Sequence, residues 1–382
     1  MLLSRKLRTA ENIIHVITTL ERGGAEKQLL MLSREQVILG RSVTVLPLKG
    51  KATLLPLFER SGVKVDISLL NRNPVFQLLL LFVYLRSRYR NFIAHAHLPR
   101  SELILALSGK KKMSLVTKHN AETFLSGRNK HLSRALSHLV FHRTSITVCI
   151  SHAVKTVLFE REELPQNPTN IGVIYYGFEW GTKKPAWQQN YSASRTRVKL
   201  ITVSRLVLQK NLTTMLKMVK QLQNMGYSTD LQILGVGPEQ SSLNRLSNQL
   251  GISQSVNFLG EKEDPTLFIR EADVFILTSL YEGFGLVLLE AMDVGIPIVA
   301  SRISAIPEVL GNDYPFLAEV ENHYDFATKV SKVVSEKHYD LFSSYYQVAK
   351  EKYSIRRITE QTLELYDSLS NREIIEFKCQ TY

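Results

Sequence analysis

Two kinds of apolar block alternate along this chain. Short runs rich in β-branched residues predict strands at Ile13–Ile17, Val43–Leu46, Val63–Ile67, Ile93–Ala96, Leu115–Thr117, Ile146–Ile150 and Gly172–Tyr176. Between them lie stretches with helical spacing. Ala25–Leu39 carries Leu29, Leu30, Leu32, Val37 and Ile38, and Pro74–Arg90 predicts a long helix. Shorter helices are expected near Ser101–Leu107 and Leu132–Phe141, and Ser151 is placed to cap another. Strands alternating with helices predict a doubly wound parallel sheet.

The carboxyl half repeats the pattern. Lys199–Val203, Leu231–Leu234, Val256–Leu259, Val274–Leu277 and Ile298–Ala300 read as strands. Leu212–Leu222 and Leu286–Met292 read as helices, and Asn322–Ser335, Tyr339–Tyr353 and Ile355–Leu369 extend the helical pattern to the end. The polar, aperiodic stretch Gly181–Arg197 carries Pro185 and marks a boundary near 185–195. The expected organisation is therefore two Rossmann-like α/β domains, 1–190 and 191–382. A last helix, about 355–370, is expected to pack back on the first.

Composition narrows the function classes. The 382 residues are 44% hydrophobic and 22% charged, enough to build full cores. Cys149 and Cys379 supply neither a disulfide framework nor metal spacing, which fits a reducing cytosol. The apolar run after Arg5, Lys6 and Arg8 is too short for a signal peptide, and Val75–Leu85, interrupted by Gln77, is too short to span a bilayer. The net charge of +13 is uneven: residues 1–190 hold 28 Lys and Arg against 12 Asp and Glu. Arg86, Arg88, Arg90 and Lys110–Lys112 are the densest clusters. An anionic membrane surface, nucleic acid and an ordinary solvated face would each suit them. No zinc-finger, RNP-type or helix-turn-helix pattern supports nucleic acid.

Candidate chemistry concentrates between Ala272 and Glu308. A predicted strand ends at Leu277, Glu282-Gly283-Phe284-Gly285 turns the chain, and a helix opens at Leu286. Glycines there admit close backbone approach, and the first-turn amides of the helix form an anion site. The loop falls at the carboxyl end of a strand, where open α/β sheets bind ligands. Glu282 and Glu290 lie about two helical turns apart. The same stretch also suits a plain strand–helix turn with two surface glutamates. Arg205 and Lys210 follow the first strand of the carboxyl half and could both reach a diphosphate, Arg as a fork and Lys as a point charge. Gly23-Gly24-Ala25-Glu26 is the amino-half counterpart, but it is not a dinucleotide fingerprint. Glu26 reads as a helix N-terminal charge. His95 and His97 are spaced as a metal pair, yet no third ligand is evident from the sequence, and they read as structural.

The elements EGFGLVLLEAM with its E-x7-E spacing, GIPIVAS, IPEVLG and SRLVLQKN together resemble the signature of family 4 retaining glycosyltransferases. The resemblance runs strongly from about 199 to 311 and diffusely before that. It implies the GT-B fold, two Rossmann-like domains facing across a cleft. It assigns the donor sugar to Glu282, the diphosphate to Arg205, Lys210 and the backbone of Gly283, Phe284, Gly285, Leu286 and Val287, and the ribose to Glu290. It places Gly24 toward the donor diphosphate and His119 near the outer hydroxyls of the sugar. It implies a nucleotide-diphosphate sugar, a UDP-sugar by expectation, and no metal ion or other cofactor; no Asp-x-Asp is present to hold one.

The chain departs from the family at several places. Ser304 and Ala305 stand where relatives carry Gly-Gly, Arg302 replaces an acidic residue, and Tyr175-Tyr176 replace Pro-Asn. These changes put sugar and acceptor specificity in doubt. The expected acceptor is a glycan or lipid-linked intermediate of cell-surface polysaccharide or glycoconjugate synthesis. The expected location is cytoplasmic and peripheral at the inner face of the cell membrane. An epimerase or phosphorylase of the same fold is the alternative enzyme, and a basic, non-catalytic binding protein the alternative class.

Overall fold

A computed structural model describes residues 11–87, 92–109, 111–120, 124, 129–165, 168–181, 197–336 and 338–371. Arg88, Arg90, Lys110, Cys379 and most of the expected linker lie outside the described residues. The chain divides into two compact units, one of residues 1–179 with 353–382, the other of residues 180–352.

In the first unit the strands are β1 (Asn12–Thr19), β2 (Ser42–Lys49), β3 (Lys64–Val65), β4 (Phe92–His97), β5 (Ser114–Lys118), β6 (Ile146–Cys149) and β7 (Ile171–Val173). They form one parallel sheet in the order β3-β2-β1-β4-β5-β6-β7. The helices are α1 (Gly24–Ile38), α2 (Leu55–Arg60), α3 (Pro74–Ser87), α4 (Pro99–Leu107), α5 (Lys130–Arg143) and α6 (His152–Glu160). Helix α6 starts where expected, with the Ser151 hydroxyl accepting the Val154 amide at 3.0 Å.

Both faces of this sheet are covered, which is why its strands read as continuous apolar runs. Ile13, Ile17, Val45, Ile93, Leu115 and Val148 point to one face and pack with Leu29 and Leu363. Ile14, Val16, Leu46, Ala94 and Val116 point to the other and pack with Leu81, Ile104 and Val140. The period of two along each strand assigns the faces.

In the second unit β8 (Arg197–Val203), β9 (Ser228–Leu234), β10 (Val256–Gly260), β11 (Val274–Leu277), β12 (Ile298–Ser301) and β13 (Leu317–Ala318) form a parallel sheet in the order β10-β9-β8-β11-β12-β13. Its helices are α7 (Leu212–Asn224), α8 (Gln240–Gln249), α9 (Thr266–Glu271), α10 (Leu286–Val294), α11 (Ile306–Leu310), α12 (His323–Ser335) and α13 (Tyr339–Lys352). Helices α8, α9 and α11 and strand β13 are additions to the pattern read from sequence. Helices α9 and α11 and strand β13 are too short to show a period, and α8 is mostly polar, with its helical spacing carried by Leu243, Leu246 and Leu250 alone.

Helix α14 (Ile355–Asn371) belongs to the first unit, where its apolar face buries Leu363, Leu365 and Tyr366 in the core. The return is clamped at Phe178, whose amide donates to the Tyr353 carbonyl at 2.7 Å while its carbonyl accepts from Ile355 at 2.9 Å. The unit boundary thus lies at Glu179, not at 190, and residues 353–382 leave the domain expected to run from 191 to 382.

Candidate functional site

In both sheets the strand order reverses direction beside the first strand of the unit, between β1 and β4 and between β8 and β11. Chains leaving such neighbours turn to opposite sides, and this opens a crevice at the carboxyl ends. Gly24, Arg205, Lys210 and the Glu282 loop lie at these two points, and His119 follows β5, one strand farther on.

In the second unit, β8 leads to Arg205 and to a 3-10 turn, Leu208–Lys210, and β11 leads to the Glu282 loop. β8 and β11 pair in parallel, Val274 with Leu200 and Phe275 with Ile201, so both loops leave the same sheet edge. Lys210 Nζ reaches Glu282 Oε1 at 2.5 Å, and Ser279 Oγ donates to the same oxygen at 2.6 Å. The loop is tied to the 3-10 turn along its length. Gln209 Nε2 donates to the Tyr281 carbonyl, the Leu280 amide donates to the Gln209 carbonyl, and Thr278 Oγ1 donates to the carbonyls of Lys210 and Asn211.

Gly285 adopts φ +87° and opens α10, a conformation that would strain any L side chain. The first-turn amides of α10, with Leu286 and Val287, therefore begin at this edge, the arrangement that favours an anion. Phe284 is buried beneath the loop, and Glu290 is buried in α10. Arg205 is exposed, and its guanidinium has no partner among the described residues. Gly235 and Gly237 lie against the backbone of Ser204 and Leu206, where a Cβ would collide with main-chain atoms. The GVGP turn thus supports the segment that carries Arg205.

The first unit is built differently. Gly23 and Gly24 turn the chain into α1, and Thr19 Oγ1 donates to the buried Glu26 at 2.5 Å. Behind this turn the sheet carries a polar seam. His15, His95, His97 and Thr117 share one face, because His15 pairs with His95 across β1–β4 and His97 with Thr117 across β4–β5. His119 continues the seam beyond β5.

The ring nitrogens bond in series. His15 Nε2 contacts Gln36 Oε1, His15 Nδ1 contacts His97 Nε2, His97 Nδ1 contacts His119 Nε2, each at 2.9 Å, and His119 Nδ1 contacts the Tyr176 hydroxyl at 2.6 Å. With Gln36 Oε1 as acceptor, one proton arrangement satisfies the whole series. Every imidazole is the neutral Nε2–H form and the Tyr176 hydroxyl donates. His95 bonds the Tyr366 hydroxyl and Thr117 Oγ1, both at 2.6 Å.

Burial holds these rings neutral. It lowers His15 to about 4 against an opposing pull from the Gln36 bond, lowers His119 to about 3, and takes His95 and His97 well below their ordinary value. Burial, and then the Glu26 charge, push the Tyr176 hydroxyl up. A cavity of about 30 Å³, room for a water molecule, is lined by Gln28, His95, His97, Thr117, His119 and Tyr176.

One expectation changes here. The third nitrogen ligand missing beside His95 and His97 is supplied by His15, and nitrogens of the three rings lie within 4.8 Å of one another. Every ring nitrogen in the group already has a protein partner, so the cluster stands as a hydrogen-bond network. His119, expected at the outer sugar hydroxyls, uses both its nitrogens inside the first unit and is only 9% exposed. Sequence reasoning missed Gln36, Tyr176 and Tyr366. Tyr366 lies 271 residues from its partner His95, and no local signal links them.

Comparison with known proteins places this second unit. Residues 183–352 match the family model Glycosyl transferases group 1. The chain is 23% identical over 370 residues to the phosphatidylinositol N-acetylglucosaminyltransferase GPI3 subunit of Saccharomyces cerevisiae, covering 91% of this chain and 80% of that protein. It is 25% identical over 238 residues to N-acetyl-alpha-D-glucosaminyl L-malate synthase of Bacillus anthracis, covering 60% and 61%. Its fold is that of Anabaena HepE in complex with UDP and glucose, with a TM-score of 0.76 at 17% identity over 94% of this chain and 100% of that one. The two parallel-sheet, Rossmann-like units share the fold of GT-B glycosyltransferase structures.

Proposed function

We propose that the protein is a retaining glycosyltransferase that moves a sugar from a UDP-sugar to a lipid-linked glycan acceptor. The observation that carries this reading is the Lys210–Glu282 pair, set at a strand-order reversal beside the start of α10. Cation, carboxylate and helix amides then meet at one sheet edge. A diphosphate needs the first and the last, and a sugar hydroxyl needs the carboxylate. Arg205 and Lys210 hold the diphosphate with the amides of Gly283–Val287. Glu282 accepts from the donor sugar, and Glu290 accepts from the ribose. As the bond to the sugar breaks, charge grows on the leaving diphosphate, and the fixed cations stabilise it there. The acceptor proton passes to a donor phosphate oxygen while the sugar is oxocarbenium-like.

The relatives support the substrates by their names. HepE was crystallised with UDP and glucose, and both curated relatives are named for N-acetylglucosaminyl groups, one of them on phosphatidylinositol. A panel of nucleotide sugars with mass-spectrometric readout tests the reading. Transfer that Glu282→Ala leaves intact would overturn it.

An anionic membrane is the natural home of a lipid-linked acceptor. No helix among the described residues is long and apolar enough to cross a membrane. Helix α3 instead turns Leu81 and Leu85 inward and presents Val75, Phe76, Leu79, Phe82 and Val83 outward, 38–68% exposed. Arg72 lies over Phe76 and Arg86 over Phe82. An apolar stripe flanked by cations suits shallow insertion among anionic headgroups. Flotation with anionic vesicles at low salt should carry the protein, and Leu79→Gln with Val83→Gln should release it. Equal flotation with neutral vesicles would count against this surface.

A further inference from the structure

Glu282 is held by more than its carboxylate. Ser304, in the loop after β12, has φ +45°, in the left-handed region that favours glycine. Its Oγ accepts the Glu282 amide at 2.8 Å, and the amide of the next residue, Ala305, donates to the Glu282 carbonyl at 3.4 Å. The Ser304–Ala305 turn thus engages both main-chain groups of Glu282. On the side-chain side, Lys210 and Ser279 hold the carboxylate. A glycine would take this φ without strain, but it would leave the Glu282 amide without the hydroxyl acceptor. A strained residue at a functional loop is a reason to ask what its side chain supplies.

We propose that Ser304 is a positioning residue for the donor site. Its hydroxyl fixes the Glu282 backbone, and so sets the angle at which the carboxylate and the Gly283–Gly285 loop meet a bound nucleotide sugar. This rests on the reading of Glu282 as a donor-sugar residue. The physical logic is a trade. The backbone strain at Ser304 opposes stability, and the hydrogen bond it permits confines a loop whose geometry matters more when the sugar is leaving than when the nucleotide merely binds. Ser304 is half-buried, and accepting the Glu282 amide leaves its own proton to donate outward.

Two substitutions separate positioning from packing. Ser304→Gly relieves the strain and removes the acceptor, whereas Ser304→Ala keeps the strain and removes the acceptor. We expect Ser304→Gly to keep or raise Tm and Ser304→Ala to lower it. Both should lose about fivefold to tenfold in kcat, the worth of one hydrogen bond to the loop, with affinity for free UDP unchanged. Amide hydrogen exchange at Glu282 should quicken in both. Unchanged kcat in both variants overturns the proposal, and so does unchanged exchange at Glu282. If the unaltered protein transfers no sugar from any donor, the glycosyltransferase reading fails on its own, and the exchange measurement still decides whether Ser304 holds the Glu282 backbone.

Discussion

The two units set polar groups at the same topological point, where the strand order reverses, and solve the electrostatics in opposite ways. In the first unit four imidazoles lie in the core, hydrogen-bonded and neutral. In the second, Lys210 and Glu282 form an ion pair at the sheet edge, 15% and 8% exposed, with Arg205 in the open. A neutral hydrogen-bonded ring can be buried cheaply, whereas a buried ion must be paired and still loses hydration. The first unit therefore uses polarity to order its core beneath the Gly23–Gly24 turn. The second holds charge where a charged ligand can arrive.

The largest expected effect breaks the neutral side. The folded values of His15, His95, His97 and His119 lie below the unfolded value near 6.5, so the unfolded chain binds more protons between those limits. Stability is full above pH 6.5 and falls as the pH drops toward about 4, where His15 begins to protonate in the fold. Each ring contributes about 1.4 kcal/mol per pH unit, so together they cost roughly 5 kcal/mol at pH 5.5, a large part of ordinary domain stability. Urea unfolding at pH 7.5 and 5.5 measures it. A pH-independent midpoint would mean these rings are not the buried neutral series described. His15→Phe should reduce the slope by about a quarter.

Charge at the second site gives the next effect, and there fold and function separate. Arg205→Ala should lower turnover by about a hundredfold without changing Tm, because the guanidinium is exposed and has no partner among the described residues. Lys210→Ala should lose similar turnover and also lower Tm, because it leaves the buried Glu282 without its cation. Equal Tm for the two variants would erase the distinction. Glu290→Ala should weaken UDP binding by about 1.5–3 kcal/mol, measured by calorimetry. Last comes an expected null effect: on the proposed function, fixed cations and helix amides carry the diphosphate, so transfer should persist in a chelating buffer. A strict divalent-ion requirement would transfer that role to a metal and remove the contrast with the imidazole unit.

Much of this was legible in the chain. The strand and helix pattern follows from period, because a sheet covered on both faces needs apolar strands and its crossover helices need one apolar stripe. The Glu282 loop was legible because glycine, carboxylate and helix start are local: Gly285 at φ +87° is a requirement of three neighbouring residues. Arg205 and Lys210 were legible for the same reason, each lying within a few residues of the end of β8.

What the sequence by itself determined, then, is whatever short-range sterics and periodicity dictate: the two α/β halves, the helix caps at Ser151 and Gly285, and the loops at the strand ends. Only the tertiary structure decided which distant groups share a face. His15 joins His95 and His97 because β1 and β4 are neighbours, an outcome of strand order that no local pattern carries. Tyr366 reaches His95 because α14 returns to the first unit, and Ser304 reaches Glu282 because β11 and β12 lie side by side. Hydrogen bonds act over about 3 Å and burial acts over a whole core. Long-range burial fixes the strand order, and the strand order then decides which polar side chains come within bonding distance.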